Sequence, residues 1–240
     1  MSERKKSKHD NFVVFALVIV AALVLFNQVQ LYAINNMTSG TTKTSSGSFF
    51  SFSGSGGKDL KNVDVNSIQS TAQAIAAVFP VNDIKTADDA IQMLIPTGTP
   101  EYGEAMGVSF DEPVKSLDFM AGQLYRQADA QIKSDPEKWQ RYINLASEPR
   151  GVSCEYCCGV GPAGIDKSGR SKCGCQHNPA LLGLTEWLLM NTEYTDAEIL
   201  REVMKWKTLF FPKNMLDLAL KISGGDTSVL ESLPGMVGGC

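Results

Sequence analysis

Five of the six cysteines and one of the two histidines fall within 24 consecutive residues, from Cys154 in CEYCCG to His177 in CGCQH. So dense a set of sulfurs must be bridged, metallated or kept as reactive thiols, and each choice ties two ends of one loop together. A CxxC pair such as Cys154 and Cys157 brings two thiolates from one tight turn onto a single ion, and a second short turn, Cys173-x-Cys175, can complete a tetrahedron. The fifteen residues between Cys157 and Cys173 include glycines and a proline that let the chain loop back, a spacing common in zinc sites built from two turns. The second turn is CxC rather than CxxC, and Cys158 is one sulfur more than a tetrahedron needs. The candidate ligands are Cys154, Cys157, Cys158, Cys173, Cys175 and His177, with Cys158 the extra one. Zinc is the expected ion, and soft sulfur with one imidazole also suits Cu(I) or an iron–sulfur cluster.

Two other states remain open at this level. Six cysteines can form three disulfides in fifteen ways, although the adjacency of Cys157 to Cys158 and the closeness of Cys173 to Cys175 strain many pairings. A mixed state would hold a four-ligand metal site and a bridge from Cys158 to Cys240. A redox-active thiol pair is the third option. Cys175 and His177 stand just before a helix expected to start at Asn178, and the field at a helix N-terminus stabilises a thiolate.

The N-terminus says where such a loop resides. A run from Phe12 to Ile34 is almost wholly apolar, and 23 helical residues span roughly 34 Å, enough for a hydrocarbon layer of about 30 Å. Arg4, Lys5, Lys6 and Lys8 precede it and hold that end in the cytoplasm by the positive-inside rule. A cleaved secretory signal is the alternative, and the bulky Leu31 before a cut after Ala33 disfavours it. The expected layout is a basic tail over 1–10, a transmembrane anchor over 11–35, and a Ser/Thr/Gly-rich linker over 36–58 that is too polar to order itself. Beyond it lies an extracytoplasmic body. Asn36-Met37-Thr38 in the linker fits a glycosylation acceptor. The first ten residues carry +2 of a total of −4, leaving −6 on the rest. An acidic body gives no footprint for nucleic acid.

The body reads as all-α: a helical part over 59–149, the Cys/His motif over 150–178 as an irregular loop, and a helical part over 179–240. Thr86 with Asp89 and Thr195 with Glu198 are capping boxes. Asp135-Pro136 restarts a helix after a longer one from about Val114 to Lys133, and Asn178-Pro179 opens another. PTGTPEYGEAMGVSFDEP is a turn-rich loop with a few extended residues expected around Val108. Ile199, Val203, Trp206 and Phe210 form one buried stripe, and SVLESL a short final helix. Asp166, Lys167 and Arg170 read as a solvated turn. No serine-hydrolase elbow, phosphate loop, dinucleotide fingerprint or paired-carboxylate site is present.

SCEYCCG, CGCQH, EYTDAEILREVMKWKTLFFP and IPTGTPEYGEAMGVSFDEP together resemble a family of uncharacterised archaeal single-pass membrane proteins, over roughly Leu94 to Pro212. The resemblance implies an N-terminal anchor and recurring cysteines and histidine, and no activity. Asn178-Pro179 and Gly183-Leu184 depart from the polar and basic residues usual after that histidine. The CGC-x-H turn before a helix is also similar in layout to extracellular lipoproteins with a PCYCGC motif, which implies metal handling. A looser likeness to the thiol-reductase subunit of cytochrome c maturation implies thiol exchange. The expectation is a membrane-anchored, extracytoplasmic metal-binding protein. Its alternatives are a thiol–disulfide oxidoreductase and a disulfide-stapled scaffold. In the last case Asn27, Gln28 and Gln30 would supply polar contacts to a membrane partner.

Overall fold

The computed structural model describes residues 59–225 and 234–238. The basic tail, the anchor, the linker, the SVLESL segment and Cys240 lie outside them. Among the described residues no helix is long and apolar enough to cross a membrane.

The described body is helical, and its helix ends follow local chemistry. After a 3-10 turn at Val65–Ser67, α1 (Thr71–Val78) starts at Ser70, whose hydroxyl accepts from the Gln73 N–H. Upstream, the Asn66 N–H donates to Asp64 Oδ1 at 2.9 Å within the 3-10 turn. α2 (Ala87–Leu94) opens with the Thr86–Asp89 capping box. α3 (Gly103–Met106) is a single helical turn inside the stretch expected to be a turn-rich loop, closed by Gly107 at φ +83°. It forms because Tyr102 is buried and anchored: its hydroxyl accepts from Trp206 Nε1 at 2.9 Å and donates to Glu202 at 3.1 Å.

α4 (Pro113–Phe119) continues through a π turn (Met120–Leu124) into α5 (Tyr125–Ile132). Leu117, Met120, Leu124, Ala128 and Ile132 are all buried along this continuous helix. α6 (Pro136–Ala146) is capped by Asp135, which accepts from the Glu137 and Lys138 N–H groups.

After the cysteine loop come α8 (His177–Asn191), α9 (Asp196–Phe210) and α10 (Pro212–Ser223), with the short α7 (Glu155–Cys158) inside the loop. α8 is apolar on nearly every side and is the centre of the bundle, packed against the π turn, α5, α6 and α9. Gly183 permits that packing. A Cβ there would lie 2.7 Å from Tyr125 Cα, so any larger residue would force α8 and α5 apart. α9 crosses to α1, and α10 packs on α1 and α2, so helices before and after the loop share one core. Ile199, Val203, Trp206 and Phe210 are all fully buried, each worth about 1.5–3 kcal/mol of hydrophobic stabilisation. Trp139 and Trp187 pack against the same core while partly buried.

Candidate metal centre

Residues 150–176 have little regular structure beyond α7 and two isolated bridges, Val152 with Ala163 and Ile165 with Ser171. The loop is nonetheless held at many points. Arg150 is buried and donates from Nε to the Val65 carbonyl at 2.6 Å, fixing the loop's entry to the 3-10 turn before α1. The Gly164 N–H donates to the Ala146 carbonyl at 2.9 Å, and Gly164 passes so close to Val152 that a Cβ would lie 2.2 Å from the Val152 carbonyl oxygen. Asp166 accepts from Ser168 and Arg170 around the loop tip, the solvated turn expected of it.

Asn178 has a different task from the expected one. The helix begins at His177, with Gln176 at the cap position. The Asn178 side chain instead clamps the two arms of the loop together. Its Oδ1 accepts from the Cys154 N–H at 3.3 Å, and its Nδ2 donates to the Gly164 carbonyl at 3.0 Å and to Ser171 Oγ at 2.8 Å. A completely buried amide with three partners holds the first cysteine turn against the approach to the second.

The cysteines converge as a result. One ligand atom each from Cys154, Cys158, Cys173 and Cys175 lies within 4.8 Å of the other three. Cys175 Sγ donates to Cys154 Sγ at 3.2 Å, and the Cys175 N–H points at Cys173 Sγ at 3.5 Å. Sulfurs at about 2.3 Å from one tetrahedral ion sit about 3.8 Å apart, so this spread suits a single ion. Several irons in one cluster would hold their cysteine sulfurs further from one another. All four are free thiols, with Cys154 buried and Cys158 exposed. A second set, Cys157, Cys175 and His177, also lies within 4.8 Å mutually and overlaps the first at Cys175. The two sets together contain all six residues expected from the sequence.

The roles of the adjacent cysteines differ from expectation. Cys157 is disulfide-bonded, and Cys158, expected to be the supernumerary sulfur and the one bridged, is a free thiol within the four-sulfur set. The physical reason is the helical turn of α7: neighbouring residues point about 100° apart on a helix. That rotation gives Cys158 to the four-sulfur set and Cys157 to the neighbouring group of Cys175 and His177, with the two sulfurs 3.4 Å apart.

The four sulfurs hold their protons unevenly. Burial, with hydrogen bonding to Cys175, pushes the Cys154 thiol far above its ordinary range. Hydrogen bonding to Cys173 leads in raising Cys158 to about 12. Burial also acts to raise Cys173, but hydrogen bonds from Cys158, the Cys175 N–H and the other thiols outweigh it and bring that sulfur down. Four sulfurs that compete for one another's protons are ligands a cation would bind by displacing those protons.

Several residues that build the site were not singled out from the sequence. Lys207 is completely buried, and its Nζ donates to Glu155 Oε1 at 2.8 Å, the Gly151 carbonyl at 2.9 Å and Thr71 Oγ1 at 3.3 Å. Thr71 in turn donates to Glu155 Oε1. The ammonium also lies 5.2 Å from the centre of the Tyr156 ring. α1, α7 and α9 are thereby joined at the first residue of the turn that carries Cys157 and Cys158. Burial lowers the Lys207 pKa, and the Glu155 charge opposes that shift. The signal was in the register: Lys207 is four residues after Val203 and three before Phe210, on the buried stripe itself. Phe210 and Phe211, from the WKTLFFP ending, flank His177 with ring centres at 5.4 and 4.9 Å, and Phe211 also meets Tyr156 at 5.6 Å.

No family model, no curated protein and no solved structure matches the chain.

Proposed function

We propose that this protein is a membrane-anchored, extracytoplasmic metal-binding protein whose helical domain holds one zinc ion through Cys154, Cys158, Cys173 and Cys175. The observation that carries this reading is the convergence of four free sulfurs, from two turns of one loop, to within 4.8 Å of one another. Four thiolates and no carboxylate favour zinc or another soft ion over calcium or magnesium. The loop's remaining interactions point to a structural ion. Cys154 is sealed in the core, and Asn178, Lys207 and Arg150 fix the arms that carry the ligands. The exposed Cys158 leaves one edge through which an ion can enter.

The location rests on the Phe12–Ile34 run and its basic flank. The Cys157 disulfide accords with it, because such bonds persist in oxidising compartments. Thiol–disulfide exchange is a second reading, favoured by the 3.4 Å between Cys158 Sγ and the Cys157 half-cystine, a short path for a thiolate to attack a disulfide.

Elemental analysis with parallel thiol titration, on protein purified without added metal, separates the two. The metal reading expects about one zinc per chain and four thiols that stay blocked until a chelator is added. No metal with free, rapidly reacting thiols would transfer the weight to exchange chemistry, and no metal with no free thiols would leave a disulfide staple.

A further inference from the structure

We propose that reduction of the Cys157 disulfide opens a second metal position beside the first, held by Cys157, Cys175 and His177 with Cys175 bridging the two ions. The inference rests on the four-cysteine reading and goes beyond it by assigning the residues which that centre leaves over. Two independent observations support it. The ligand atoms of Cys157, Cys175 and His177 lie within 4.8 Å of one another, and Cys175 belongs to both sets. His177 is completely buried, and its Nδ1 has no hydrogen-bond partner, whereas its Nε2 lies 2.8 Å from the Val237 carbonyl. A carbonyl only accepts, so Nε2 carries the proton and Nδ1 presents a bare lone pair. Metal-binding histidines are commonly oriented in this way, by donating the other ring N–H to a carbonyl or carboxylate. The Phe210 and Phe211 rings fix the imidazole in place.

In the oxidised protein Cys157 offers no thiolate, and the second set is short of a ligand. A dithiol reductant supplies two electrons and two protons to the disulfide. The S–S bond breaks, Cys157 and its former partner become thiols, and the reductant becomes a disulfide. An incoming divalent ion then displaces the Cys157 proton to solvent and shares the Cys175 thiolate that the first ion has already deprotonated. Three protein ligands leave one coordination position for water, as in zinc sites that exchange ligands. The metal load of the domain thus follows the redox state of its surroundings, from one ion to two.

The test is Co2+ titration of the full chain in detergent, followed by thiolate-to-metal absorption, before and after reduction with a trialkylphosphine. The expected result is one equivalent in the oxidised protein and two in the reduced protein, with His177→Gln confined to one equivalent in both states. Should His177→Gln fail to fold, Cys157→Ser serves the same purpose and must also stop at one. One equivalent in both states of the unaltered protein would overturn the second position alone, and no bound Co2+ in either state would overturn the four-cysteine centre beneath it. Two equivalents before reduction, or a second equivalent surviving both substitutions, would also overturn the proposal.

Discussion

Lys207→Met is expected to lower the stability of the metal-free protein by about 3 kcal/mol, because removing one partner of a buried ion pair leaves the other charge uncompensated. Lys207 is wholly buried, and Glu155 is 14% exposed at the side chain, so little water can replace the lost ammonium. The Gly151 carbonyl and Thr71 would also lose their shared donor. A methionine fills a similar volume, which separates loss of charge from creation of a cavity. The double variant Lys207→Met with Glu155→Gln is expected to be less destabilised than the sum of the single changes, because the orphaned carboxylate is gone. Urea melts of the four proteins in the presence of chelator measure this. Strictly additive effects would show that the two side chains do not act as a pair. The same lysine pairs with Glu155, the residue after Cys154, and four thiolates around one zinc carry a net charge of −2. Its loss should therefore weaken metal binding as well as the fold.

The second large effect concerns a carboxyl group far from the cysteines. Glu186 on α8 is fully buried with neither oxygen hydrogen-bonded, and the Tyr142 hydroxyl is also buried and without a partner. Burial, reinforced by the Asp129 charge, pushes Glu186 up to about 9; the nearby Tyr142 hydroxyl and Lys133 offset only part of this. The folded protein therefore keeps a proton there that the unfolded chain gives up near pH 4.5. Stability from this group is fully present below about pH 4.5 and is lost as the pH rises toward 9. At 1.36 kcal/mol per pH unit, the loss between pH 5 and pH 8 is of the order of 4 kcal/mol. Glu186→Gln cannot titrate, so its stability should exceed that of the unaltered protein increasingly from pH 5 to pH 8. Denaturant melts across that range decide the matter: a constant difference between the two proteins would mean that Glu186 is charged in the fold.

Both predictions depend on polar residues that sit in apolar registers, and these define the limit of what was legible beforehand. Helices were readable where a cap or a stripe specifies them, as at Thr86, Asp135 and Thr195, because those signals are local. α3 was not, because it forms around Tyr102, which finds its partners in Trp206 and Glu202 about a hundred residues later. Clustering of cysteines and histidine in one loop was readable from spacing. Which of Cys157 and Cys158 faces the cluster was not, because it turns on the helical rotation between adjacent residues. Asn178 was assigned to a cap on propensity, and long-range hydrogen bonds to Cys154, Gly164 and Ser171 prevailed instead.

X-ray absorption at the zinc edge, on protein isolated without added metal, tests the central claim most directly. The account predicts a first shell of four sulfurs at about 2.3 Å with no nitrogen or oxygen. A shell containing imidazole or oxygen in the oxidised protein, or the absence of bound metal, would contradict it.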